Sequence, residues 1–221
     1  MDLPQRCFEL LQAGDTDGLL SLLKETPDAA EAKDASGVSL LMHALYRGHR
    51  DLAETIAGKK QELDIFEAAS LGRADRLREC LRDAATLNAY SKDGFTALHF
   101  ACYFGQPESA RLLLDKGAKA DASAANATLV MPLHSAASAR NFEAARLLLE
   151  HGAPINARQQ GGWGPIHAAA QNGDREMVDL FLKHGADSEI ANDAGKTPAM
   201  VARDKGHTQI ADLLEKQSAK S

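Results

Sequence analysis

Aromatic residues are scarce in this chain, at 5% of 221 positions, and β-branched aliphatics are few, with 4 Val and 6 Ile. Strands favour β-branched and aromatic side chains. An all-β fold is therefore argued against, and so is a parallel sheet with buried Val- and Ile-rich strands. One large globular core would also need bulky fillers that are missing. No run of about 18 apolar residues occurs, so no transmembrane helix and no membrane partner are expected. The opening Met1–Arg6 lacks a basic region followed by an apolar run, so no secretory leader is expected. There are only three cysteines, Cys7, Cys80 and Cys102. That odd, widely spaced set suits neither a disulfide framework nor a zinc site. A cytoplasmic location is the simplest reading. Positive charge is short as well. The net charge of −6 disfavours a nucleic-acid partner, which wants a basic stripe.

What the chain does hold is Ala and Leu, 40 and 29 of them, which are strong helix formers. It also holds a repeat. Thr96-Ala97-Leu98-His99-Phe100-Ala101 is followed by Pro132-Leu133-His134-Ser135-Ala136-Ala137. Next come Pro165-Ile166-His167-Ala168-Ala169-Ala170 and Thr197-Pro198-Ala199-Met200-Val201-Ala202. Downstream of the first three stand Arg111–Ala118, Arg146–Ala153 and Asp179–Ala186, each with a Leu-rich run ending in Gly-Ala. This pattern resembles the ankyrin repeat, a unit of about 33 residues carrying T-P-L-H-x-A. Counting back six residues from Gly14, Gly48, Gly72, Gly105, Gly173 and Gly206, and using His134 directly, gives the anchors Phe8, Met42, Phe66, His99, His134, His167 and Met200.

The expected fold is all-α: one ankyrin-repeat solenoid over 1–221, with about seven stacked helix-turn-helix modules and projecting β-turn loops. The modules are placed at 5–33, 34–62, 63–90, 91–125, 126–158, 159–191 and 192–217, with a polar tail at 218–221. A single module cannot bury its apolar face, so only the stack is stable. Thr caps the first helix, Pro fits its first turn, and the following Gly supplies a left-handed C-terminal cap. Two departures stand out. The step from Met42 to Phe66 is short, because Gly58–Glu62 replaces the usual helix end and arm, so a projecting turn should be missing there. The step from His99 to His134 is two residues long, and Leu129 and Arg140 stand where glycines are usual. An altered loop over 121–130 and a poorer cap are expected.

No catalytic constellation is visible, so no enzyme activity and no cofactor are expected. Gly195-Lys196-Thr197 lacks the earlier glycine of a phosphate loop, and Gly162-Trp163-Gly164 lacks the third glycine of a dinucleotide motif. His99, His134 and His167 share one repeat position. Neighbouring helices stand about 8–10 Å apart, whereas zinc ligands lie about 2.0–2.1 Å from the ion. A His tying its own turn to an adjacent backbone is the simpler reading, with no metal. A metal-binding, small-ligand-binding or catalytic protein using these His columns is the alternative. The cysteines fall at core positions.

In the ankyrin family the concave face is built from the projecting turns and first helices. Carried over, that resemblance points to positions just before each Thr-Pro and each capping Gly. Several of the scarce aromatics fall there. The candidate partner-binding residues are Tyr46, Arg47, Phe95, Tyr103, Phe104, Trp163, Gln171 and Asn172; Ser70 and Leu71 lie on the same stripe. Exposed aromatics with polar neighbours compose binding hot spots. The expected function is a non-enzymatic protein-interaction scaffold, an adaptor or inhibitor, acting as a monomer on a protein partner of unknown identity. The whole-chain pattern, including the short second module and Phe66-Glu67-Ala68-Ala69, is similar to small free-standing bacterial ankyrin-repeat proteins.

Overall fold

A computed structural model describes residues 2–218. Among these residues there are fourteen α-helices and no strand. They succeed one another in pairs: α1 (Leu3–Ala13) with α2 (Thr16–Glu25), α3 (Leu40–Tyr46) with α4 (Arg50–Ala57), and α5 (Ile65–Leu71) with α6 (Ala74–Cys80). Then come α7 (Ala97–Tyr103) with α8 (Pro107–Asp115), α9 (Pro132–Ser138) with α10 (Phe142–Glu150), α11 (Pro165–Gln171) with α12 (Arg175–Lys183), and α13 (Pro198–Asp204) with α14 (Thr208–Ser218). Of the tail placed at 218–221, Ser218 closes α14 and the remainder lies outside the described residues.

The helix starts follow local chemistry. Pro132, Pro165 and Pro198 open α9, α11 and α13, where a missing N–H leaves nothing unpaired. Thr197 caps α13 by accepting the Met200 N–H. First helices stack in one row, α5 on α7, α9, α11 and α13, and second helices in another. Fully buried alanines at 101, 136, 137, 169, 170 and 202 let the inner row close up. Buried Leu77, Leu113, Leu148 and Phe181 fill the space behind.

The arms stack as well. Each is a tight turn closed by backbone bonds such as Ser91 N–H to Phe95 O (2.9 Å) and Asn192 N–H to Lys196 O (3.0 Å). Successive arms share one backbone bond: Ala125 to Gly94, Gln160 to Thr128, and Asp193 to Gly161, at 2.8–2.9 Å. In the arm at 124–130 the closing bond runs from Ala124 N–H to Val130 O, so the two extra residues are carried within the turn.

Leu129 and Arg140 keep the backbone that glycine usually adopts, at φ of 54° and 58°. They are the only non-glycine residues with positive φ among those described. A side chain there costs about 1–2 kcal/mol. Arg140 gains little in return, because its ion pair with Asp174 is exposed and 3.5 Å long. Arg140→Gly and Leu129→Gly should each raise stability by about 1 kcal/mol, read as a higher urea midpoint at unchanged m-value. A lower midpoint for both would contradict this assignment of strain.

The short second step removes the arm, as its length implied. Helix α4 ends at Gly58, and the chain reaches Asp64, the N-cap of α5, without projecting. The buried apolar residues then divide into two clusters. One runs from Cys7 to Ile56 and adds Leu71 and Phe100; the other runs from Ile65 to Leu214. No close seam like that of α5 with α7 joins α3 to α5.

One register assignment needs correction. Counting from Gly72 placed Phe66 at the His99 position. The N-cap of α5 is Asp64, so the third helical position, which His99 holds in α7, belongs to Glu67. Helix α5 is one residue closer to its capping glycine, and counting from the glycine alone shifts the match.

Candidate functional site

The His column is a set of ties between modules. In each, Nδ1 accepts the N–H that opens its own helix: Thr96 to His99 (3.2 Å), Met131 to His134 (3.2 Å), Gly164 to His167 (3.1 Å). Each Nε2–H donates to a carbonyl of the next module: Val130 (2.9 Å), Ala157 (3.1 Å) and Lys196 (3.1 Å). A carbonyl can only accept, so the ring is neutral with its proton on Nε2. Burial holds all three below the ordinary imidazole range, His99 at about 4. Both nitrogens of each ring are engaged within the stack. His151 and His184 donate through Nδ1 to Leu147 O and Leu180 O, at the ends of α10 and α12. Among the described residues, no group of three or more His, Cys, Asp or Glu is placed to hold a metal.

The thiols lie where the pattern put them. Cys7 and Cys102 are buried and Cys80 is half-buried. Burial pushes all three thiols up, away from reactive thiolate.

The candidate partner-binding residues divide into two groups. Tyr46, Phe95, Tyr103 and Phe104 come together around Phe100. The Phe100 ring centre lies 6.4 Å from Tyr46, 5.8 Å from Phe95 and 6.3 Å from Phe104, and Tyr103 meets Phe104 edge-on at 5.2 Å. Such spacings favour aromatic pairing. A groove of about 320 Å³ opens beside them, with Tyr46, Phe95, Phe100 and Tyr103 on one side and Val130, Ser135, Ser138 and Gln159 on the other. The cause is a size step between modules. Phe100 and Tyr103 occupy positions held in the next module by Ser135 and Ser138, so bulky side chains face small ones. Tyr103 is 51% exposed and Tyr46 42% exposed, whereas Phe95 and Phe104 are half-buried.

The other four stand apart. Arg47 is exposed beside Tyr46 but outside the groove lining. Trp163 is half-buried, its ring 5.4 Å from that of His167. Gln171 is exposed at the end of α11. The Asn172 amide donates back to Ala137 O (3.1 Å) and Ser138 O (3.3 Å), an inter-module tie. Ser70 and Leu71, placed on the exposed stripe by the register, are buried. With the register of α5 corrected by one residue, Ser70 falls at the buried Cys102 position, and Leu71 joins the buried cluster of the first modules.

Sequence reading missed three residues. Phe100 is one, although its bulk is an outlier against Ser135, Ala168 and Val201 at the same repeat position. Lys60 and Glu67 are the others. Their side chains are 3% and 2% exposed, at the joint where the arm is missing. Glu67 accepts from Ser39 Oγ (2.7 Å) and Asp64 N–H (3.1 Å), and Lys60 Nζ lies 3.5 Å from Glu67 and 2.8 Å from Glu31. Burial and the neighbouring Asp64 push the Glu67 carboxyl up, while Ser39 and Lys60 pull it down; the net direction is up. This cluster replaces the His tie and reaches backward to the second module, where His99 reaches forward. On the groove side, the Tyr46 hydroxyl donates to the Asp93 carboxylate, 47 residues away.

This stack of helix pairs, arms and His ties matches a known protein family. Residues 65–159 and 133–220 match the family described as Ankyrin repeats (3 copies), and the chain belongs to it. Among curated proteins, it is similar to an ankyrin repeat domain-containing protein of Aspergillus oryzae, oryK, at 41% identity over 56 residues, 25% of this chain and 9% of that protein. It is also similar to Dauer abnormal formation protein 25 of Caenorhabditis elegans, at 32% over 112 residues, 51% of this chain and 23% of that protein. A third is the human DNA-binding protein RFXANK, at 34% over 96 residues, 42% of this chain and 36% of that protein. The chain thus spans only a minor part of each relative's length, and all three relatives are eukaryotic. Ankyrin repeats in general mediate protein–protein interaction.

Proposed function

We propose that the protein is a non-enzymatic interaction scaffold, an adaptor or inhibitor, that holds a protein partner on its concave face. The observation that carries this reading is the groove between Phe100 and Ser135, apolar on one wall and edged by the exposed Tyr103 ring. It suits a partner segment presenting one bulky apolar side chain. Trp163, Gln171, Asn172 and Arg47 would extend the contact along the stack. The human relative carries DNA binding in its name; the net charge of −6 here favours protein over nucleic acid. Arg203 pairs with Asp212 and Glu215 on the last helix pair, a charged end that suits a monomer.

A cytoplasmic setting is supported by three unpaired thiols, and no helix among the described residues is long and apolar enough to cross a membrane. The similarity to small bacterial ankyrin-repeat proteins rests on the shortened second module and the Phe66–Ala69 segment.

The test is quantitative. Tyr103 contributes ring surface at the rim, so Tyr103→Ala should leave helicity unchanged and weaken a captured partner by at least about 2 kcal/mol, roughly thirty-fold in Kd. Lys116→Ala, an exposed change after α8, should leave affinity unchanged. Equal affinity for Tyr103→Ala and the parent chain would sink the groove reading.

A further inference from the structure

The uncompensated charge around the groove is positive, although the chain is acidic overall at −6. Acids are sorted between the two rows of helices. The second helices α4, α6, α8, α10 and α12 carry two each. The first helices α3, α7, α9 and α11 carry none. The acids on the arm turns are already engaged. Asp34 accepts the Ser36 and Val38 N–H groups and meets His43 at 2.7 Å. Asp93 accepts the hydroxyls of Tyr46 and Ser91, and Asp193 faces Arg158 at 3.1 Å. The cations beside the groove are not matched in this way. Arg47 follows Tyr46, and Lys92 precedes Asp93; both are exposed, and neither forms an ion pair among the described residues. Arg140, two residues beyond Ser138, is exposed and holds Asp174 only at 3.5 Å.

We infer that the groove takes an acidic segment of a protein partner: one bulky apolar side chain against Phe100 and Tyr103, with Asp or Glu on its flanks facing Arg47, Lys92 and Arg140. This rests on the groove reading proposed above and names the chemistry of the partner. The apolar side chain supplies most of the affinity, by burial against the rings. Each flanking carboxylate meets an exposed cation, so each pair adds little alone. Together they steer the encounter and reject a basic segment, which would face like charge on both flanks. On the other side of the groove the Ser138 hydroxyl and the Gln159 amide can donate to carbonyls of the segment. Single-stranded nucleic acid is negative too, but it is held by a positive groove along which successive bases stack. Here the rings gather around a single groove, which suits one side chain.

Short random peptides displayed on phage, selected on the folded chain at low salt, test this without a known partner. The selected sequences are expected to share one Phe, Trp or Leu with Asp or Glu on both sides. In a synthetic peptide of that sequence, replacing the acids by Asn and Gln should weaken binding about tenfold, the sum of several exposed pairs. Salt at about 1 M, where the screening length falls to about 3 Å, should remove most of that difference. Arg47→Ala combined with Arg140→Gly, both at exposed positions, should weaken the acidic peptide about fivefold and leave the Asn/Gln peptide unchanged. Neutral or basic selected peptides that are lost on Tyr103→Ala overturn the acidic inference and leave the groove reading intact. So do acidic peptides that need Tyr103 but ignore the two arginine changes. Peptides that bind Tyr103→Ala as well as the parent chain, or a selection that yields none, overturn both. An oligothymidine strand that binds more tightly than the acidic peptide would assign these cations to nucleic acid and also overturn both.

Discussion

Lys60→Met is expected to cost about 3–5 kcal/mol of stability, because it leaves a buried carboxylate without its counter-charge. The lysine stem packs in the joint and its ammonium faces Glu67, which is itself almost fully buried. Ser39 and the Asp64 N–H still donate to that carboxylate, but neither carries a charge. The partner substitutions grade the effect. Glu31 is 41% exposed, so Glu31→Gln should cost no more than about 1 kcal/mol. Adding Glu67→Gln to Lys60→Met removes the orphaned charge and should recover much of the loss. Urea unfolding of the three variants checks the order. A cost for Lys60→Met as small as that for Glu31→Gln would show that the cluster is not electrostatically buried.

Acid below pH 6.5 should destabilise the stack by about 3 kcal/mol or more by about pH 4. His99, His134 and His167 are neutral in the fold and held below 6.5, with His99 at about 4. In the unfolded chain the same rings take a proton as soon as the pH falls below 6.5. The unfolded state then binds more protons, and stability falls with pH. The contribution is fully present above 6.5 and is lost on the way down to about 4, where His99 itself protonates. His99 contributes up to about 1.4 kcal/mol per pH unit over this window, about 3 kcal/mol between 6.5 and 4, and His134 and His167 add to it in the same direction. Glu67 acts in the opposite sense, since its raised carboxyl favours taking up a proton on folding, but it is one group against three. Against an ordinary stability of about 5–15 kcal/mol, a loss of about 3 kcal/mol or more between pH 6.5 and 4 is large. Urea midpoints at successive pH values test this. A flat profile between 6.5 and 5 would mean that the rings are not held neutral by burial.

The repeat was legible because its marks are local. A capping Gly, a Pro at the first turn and a Leu run each act within one helix pair, and their spacing shows in one dimension. The His ties were legible for the same reason: a column at constant spacing cannot converge on one ion. The left-handed positions of Leu129 and Arg140 could be inferred because glycine fills them elsewhere in the chain.

The joint was not legible in the same way. A missing arm is visible as a short step, but its consequence is three-dimensional: α3 comes within reach of the arm at 90–96, and Tyr46 meets Asp93. Nor does a lysine in a Gly-Lys-Lys-Gln-Glu segment announce itself as buried; charged runs usually lie in solvent. The groove was half-legible. Its exposed rings stood out by register, but Phe100, which completes its apolar wall, follows the motif His at a position the repeat pattern treats as packing. The match of that bulk with Ser135 and Ser138 appears only when neighbouring modules are compared position by position.

The claim that the groove receives a protein partner is tested most directly by hydrogen exchange of the chain, free and bound to a partner captured with it. Binding in the groove should slow exchange in 93–104 and 130–138, and also at the end of α3 around Tyr46. The helices α8, α10 and α12 of the outer row should be unchanged. Protection confined to that outer row, with the groove segments exchanging as in the free protein, would contradict the account.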